Sequence, residues 1–120
     1  MNTLFGTIFA TIVILTTSQA CAECNVKGYP IYYGSDSSVT LYAGSGDACG
    51  VSIGGGGSLV ETMRITVQPS NGKAWVSNQS SYAYQSKKGF HGDDKFIVTV
   101  VGQSSHSNGT SILTVNVVVN

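Results

Sequence analysis

Phe96-Ile-Val-Thr-Val-Val101 and Leu113-Thr-Val-Asn-Val117, the second running on into Val118 and Val119, decide the class of fold. The first stretch is apolar at every position except Thr99, the pattern of a strand central to a packed sheet. The second alternates apolar with polar, as does Met63-Arg-Ile-Thr-Val-Gln68. Alternation of period two is what a half-buried strand produces, because successive side chains leave it on opposite faces. Nowhere do apolar residues recur at three-and-four spacing over a useful length, so the period of the chain is two and not 3.6. The expected class is all-β.

Turn chemistry separates these runs. Pro69-Ser-Asn-Gly72 supplies a fixed φ and then an Asn-Gly pair that tolerates positive φ, so the strand over 59–68 is expected to turn into one starting near Lys73. Ser77-Asn-Gln-Ser80 makes a shorter turn before Tyr82-Ala-Tyr84. Gly89, Gly92 and the polar stretch from Gln103 to Gly109 break the chain again. Strands are expected near 26–33, 38–43, 48–53, 59–68, 73–77, 81–85, 94–102 and 110–119, which makes seven or eight in an antiparallel β-sandwich. Gly54-Gly-Gly-Gly57 lacks the Lys-Ser/Thr ending of a phosphate-binding loop and reads as a flexible hairpin connection.

At the other end, Leu4 to Leu15 is almost wholly apolar and gives way to Thr16-Thr-Ser-Gln-Ala-Cys-Ala22, where small residues dominate. That is the pattern of a signal-peptide core and its cleavage region, too short to span a bilayer, and no second long apolar run follows. The expected organisation is a signal peptide over 1–22 and a single domain over 23–120, placed outside the cell, in a periplasm or on a cell surface. Three cysteines, Cys21, Cys24 and Cys49, are an awkward number in an oxidising compartment. Cleavage after Ala22 removes Cys21 and leaves one pair. A Cys24–Cys49 bridge closes a loop of roughly 25 residues, worth about 3 to 3.5 kcal/mol in the chain-entropy estimate. Cleavage after Ala20 would instead make Cys21 the first mature residue and a lipid attachment point, although Thr17-Ser18-Gln19 lacks the leucine usual before such a cysteine.

The formal charge is zero and only 10% of the residues are charged. No basic patch points to nucleic acid, and a mature chain of about 98 residues buries roughly two-thirds of its unfolded surface, enough for one self-sufficient core.

From residue 59 onward the chain resembles a bacterial immunoglobulin-like domain of the cadherin-like, tandem-repeat type. Three linked pieces carry the resemblance: Ile65-Thr-Val-Gln-Pro-Ser-Asn-Gly72, similar to a strand ending in Gln-Pro-x-x-Gly; Tyr82-Ala-Tyr84; and Gly89-Phe-His-Gly-Asp-Asp-Lys-Phe96, similar to Gly-Phe-x-Gly-x-Asp-x-Phe. Ser86-Lys87-Lys88 stands where such domains usually carry a proline, and the segment before residue 59 matches less well. The resemblance implies an immunoglobulin-like sandwich that acts as a non-catalytic binding or surface-structural module, with a protein or glycan as partner. In physical terms Gly89, Phe90, Gly92, Asp94 and Phe96 form a structural turn: Gly92 takes backbone angles closed to other residues, and Asp94 accepts backbone N–H bonds.

Several residue groups are candidates for chemistry. Asp93 and Asp94, with Asp36, Asp47 or Glu61, supply oxygens for a calcium ion, although no D-x-D-x-D run exists. This makes a calcium-stabilised adhesion or carbohydrate-binding domain the alternative function, with no other cofactor expected. His91 and His106 are the only histidines, and no G-x-S-x-G elbow accompanies them, so a small secreted hydrolase is the remoter alternative. Aromatics offer the better binding surface. Trp75 and Tyr84 are expected in the core, while Tyr29, Tyr32 and Tyr33 are expected to form an exposed ligand-contacting patch.

Overall fold

The protein is described by a computed structural model over residues 23–28, 31–54 and 57–120. The leader expected over 1–22, Tyr29, and the middle pair of the four-glycine run lie outside the described residues. Eight strands follow one another: β1 (Cys24–Lys27), β2 (Ser37–Ala43), β3 (Ala48–Ser52), β4 (Leu59–Val67), β5 (Gly72–Asn78), β6 (Ser81–Ser86), β7 (Gly92–Gln103) and β8 (Asn108–Val119). They form a sandwich of two sheets, one ordered β1-β2-β8-β7-β4 and the other β3-β6-β5.

The β7–β8 hairpin is its spine. Its ladder runs unbroken from Gly92 opposite Val119 to Gln103 opposite Asn108. Phe96, Val98 and Val100 on β7 and Leu113 and Val115 on β8 are wholly buried, and each such side chain contributes about 1.5–3 kcal/mol by leaving water. From the facing sheet, Tyr82 and Tyr84 close on Phe96 with ring centroids 5.7 Å away in both cases, one edge-on and one stacked. Val39 and Leu41 of β2 complete the core from the other flank.

The neighbours of β3 to β8 are those of an immunoglobulin-type sandwich. Taken as its second to seventh strands, they give second–fifth–fourth in one sheet and third–sixth–seventh in the other. The first such position is filled by β2, which lies beside β8 and not beside β3. That pair is parallel, Ser37 opposite Leu113 through Ala43 opposite Val119, and is the one departure from the antiparallel pairing expected throughout. No tight turn joins β2 to β8, so nothing local dictates their direction.

Three further expectations are corrected. The strand expected over 26–33 ends at Lys27, where Gly28 adopts φ 120°, and residues 31–33 are not in a strand. Second, Tyr33 is not an exposed ligand contact: it is 4% exposed. A Cβ on Gly102 would collide with its ring, so the glycine makes the room for it. Third, Trp75 is not in the core. Ala74 is the buried residue of β5, and Trp75, opposite Ala83, points out of the sandwich. Tyr82 and Tyr84 fill the volume beneath β6, leaving space for only a small side chain under β5.

Cys24 and Cys49 are bridged, with Cα atoms 5.4 Å apart. The bridge joins the edge strand β1 of the larger sheet to the edge strand β3 of the smaller one.

Candidate functional site

The turn before β7 is organised by its glycines, and one carboxylate organises the turn before β5. Gly89 and Gly92 take φ of 85° and 135°, in the region that side chains disfavour, and the Phe90 amide donates to the Lys87 carbonyl at 3.0 Å. Asp94 then points inward from β7 to the end of the sandwich. It accepts from the backbone amides of Ser70 at 3.0 Å, Asn71 at 3.1 Å and Lys95 at 2.9 Å, and from the Tyr84 hydroxyl at 2.8 Å. A single carboxylate thereby ties the β4–β5 turn to β7 and to the facing sheet. Next to it the Gln68 side chain behaves like a strand partner: its amide donates to the Ala74 carbonyl and accepts from the Ala74 amide, at 2.9 and 3.0 Å.

Burial pushes the Tyr84 hydroxyl far above its ordinary range, and the hydrogen bond to Asp94 and its negative charge add to the effect. Tyr82 is raised by burial alone. The unfolded hydroxyls ionise near pH 10 and the folded ones hold their protons well above it, so the stability they contribute is whole below pH 10 and is lost as pH rises beyond it. In an alkaline titration followed at 295 nm, Tyr82 and Tyr84 are therefore expected to ionise only as the fold is lost. Smooth titration of all six with the circular-dichroism spectrum unchanged would contradict this.

The remaining candidates do not converge. Asp93 is exposed while Asp94 is buried, so the two leave β7 on opposite faces. With four donors already on Asp94, this pair does not make a cation cage, and among the described residues no three His, Cys, Asp or Glu side chains gather where a metal could be held. His91 precedes β7 and His106 follows it, so the full strand separates them, roughly 40 Å of extended chain. Around His106 the serines serve the turn: Ser104 Oγ accepts from the amides of His106 and Ser107. Tyr32 is 53% exposed in a turn held from below by the wholly buried Ser111, whose hydroxyl donates to the Tyr32 carbonyl and accepts from the Gly34 amide. Since Tyr33 turns inward, Tyr32 is not joined by it in a patch.

The surface that does assemble was not foreseen. On the outer face of β3-β6-β5, Gly50, Ala83 and Trp75 lie side by side across the sheet, and Ala48, Gln85 and Lys73 form the next row. Gly50 has open space where a side chain would stand. Ala83 is 5% exposed with only a glycine on one side, so much of its cover comes from the Trp75 side. The Lys73 ammonium lies 5.6 Å from the centre of the indole. The signal was in the alternation Lys73-x-Trp75-x-Ser77, whose polar members mark that face as outward.

No model of a known protein family matches the chain, and no curated protein does.

Proposed function

We propose that the mature chain is a secreted, non-catalytic binding module with an immunoglobulin-like scaffold, of the bacterial cadherin-like type whose motifs it resembles. The observation that carries this reading is the position of Trp75. It is the only tryptophan of the chain, and it stands half-buried on the outer face of a sheet although full burial of an indole is among the largest single contributions a side chain can make to a core. Tryptophan is also the residue type most enriched where binding energy concentrates. The disulfide and the Asp94 bonds hold that face on a rigid support, so little ordering entropy has to be spent on association.

The test is retention. The secreted chain, immobilised with its disulfide intact, is expected to retain a component of cell-envelope extract, and Trp75→Ala is expected to lose at least nine-tenths of it. Equal retention by both proteins, or none by either from protein and glycan fractions alike, overturns the proposal.

A further inference from the structure

We propose that the outer face of β3-β6-β5 binds an acidic polysaccharide, with a pyranose ring stacked on Trp75 and its carboxylate paired with Lys73 and Lys87; this rests on the reading of the protein as a binding module. The first argument is shape. Beside the indole, Ala83 and Gly50 give a shelf without tall side chains, and two strand spacings make it about 10 Å wide, the scale of one or two sugar rings. The apolar face of a pyranose fits an aromatic ring that has an apolar body and polar surroundings. Those surroundings are Gln85 and Ser52, neutral side chains on the same face: the Gln85 amide donates to the Gly46 carbonyl at 2.8 Å and keeps its oxygen as an acceptor, and the Ser52 hydroxyl bonds that of the buried Ser81 at 2.9 Å.

The second argument is charge. Lys73 is the only charged side chain among the outward residues of these three strands. A depression of about 290 Å³ continues the shelf beyond it, lined by Gly72, Lys73, Gln85, Ser86 and Lys87. Among the described residues that lining holds two cations and no carboxylate, which complements an anion. The ammonium over the indole is not an obstacle, because an exposed cation–π contact is worth only about 0.5–1 kcal/mol and yields to a carboxylate. Two lysines on a chain of zero net charge are too few for a nucleic-acid backbone, where binding draws on many phosphate contacts. A protein partner would require about 800 Å² with an aromatic-rich centre, and this face offers one aromatic among glycine, alanine and serine.

Trp75, being the only tryptophan, reports on its own surface. Oligogalacturonate titrated into the secreted chain at low salt is expected to change its fluorescence. Fully methyl-esterified oligogalacturonate, the same rings without charge, is expected to bind at least tenfold more weakly. Lys73→Gln with Lys87→Gln is expected to weaken binding at least tenfold with the melting curve unchanged, since both side chains are exposed. Trp75→Ala, followed by gel mobility, is expected to weaken it as much while the domain stays folded, its melting temperature falling only by the loss of the indole's cover over Ala83. The proposal is overturned by an unchanged fluorescence, by equal binding of the methyl ester, by an undiminished double variant, or by polyglutamate or single-stranded DNA binding as tightly as the uronate. If uronates fail while Trp75-dependent retention of envelope material persists, the ligand class is wrong and the binding reading stands; if both fail, both fall.

Discussion

Asp94→Ala is expected to destabilise the domain by about 3–5 kcal/mol, a large share of the 5–15 kcal/mol that holds a domain together. Four donors converge on this carboxylate from three places: the turn amides of Ser70 and Asn71, the neighbouring amide of Lys95, and the Tyr84 hydroxyl of the facing sheet. Truncation leaves them facing a void that also parts the β4–β5 turn from β7. Each polar group buried without a partner costs about 1–3 kcal/mol, and some of that is recovered where water enters near the turn. Asp94→Asn preserves the shape, and the Tyr84 hydroxyl can turn to accept from the new amide, but that amide confronts the Asn71 N–H, so only part of the loss is expected to be recovered. Tyr84→Phe removes one donor and leaves the carboxylate three others, so its cost is expected near 1–2 kcal/mol. Urea unfolding followed by Trp75 fluorescence measures all three. A loss below 1 kcal/mol for Asp94→Ala would show that the carboxylate is not the tie described.

How far the molecule could be read in advance depended on whether the information was local. β8 was legible because its alternation is long, and β7 because an apolar run broken only by Thr99 marks a central strand. The turn before β5 fell where Pro69-Ser-Asn-Gly72 placed it, yet neither Asn71 nor Gly72 takes the positive φ that the pair allows, and the glycine instead makes room for the Gln85 carbonyl. The region before residue 37 was not. Ile31 and Tyr33 are inward-facing residues two apart, which is a strand pattern, yet they belong to a loop that joins the core, the Tyr33 ring lying against Gly102 of β7; periodicity cannot separate the two. The parallel pairing of β2 with β8 is a property of two segments some 70 residues apart and leaves no trace in either. Val67 continues the alternation of β4 on paper, but the ladder slips between Ile65 and Val67 and sets it outward, half exposed, opposite Ile97. Trp75 is the instructive case. Its alternation placed it outside with Lys73 and Ser77, while the habit of immunoglobulin-like cores placed a tryptophan inside, and the local signal was the sounder guide. The meeting of Lys73 with Lys87 around Gln85 depends on the register of β5 against β6 and had no local signal at all.

Loss of the Cys24–Cys49 bridge is expected to lower the melting temperature by roughly 10–20 °C, through a route quite different from that of Asp94. The bridge closes a loop across a sequence separation of 25, worth about 3 kcal/mol through the entropy it removes from the unfolded chain. Its structural partner is weak. β1 has four residues, three of them exposed, and is held by a short ladder to β2 and by the Asn120 side-chain amide, which donates to the Glu23 carboxylate. Without the bridge that ladder alone must hold the strand, and its fraying uncovers the edge of β2, including Leu41 and Ala43, which now have no exposure to water. Cys24→Ser is the cleaner variant, because Cys24 is exposed whereas Cys49 is 1% exposed and its replacement would also bury a hydroxyl. Hydrogen exchange separates the global from the local part of the effect. In Cys24→Ser the amides of β1 and of the β2 edge facing it are expected to exchange at least a hundredfold faster, while those of the β7–β8 ladder accelerate only by the loss of global stability. A melting temperature lowered by less than 3 °C would mean that the ladder holds β1 unaided and that the unfolded chain is already compact around that loop.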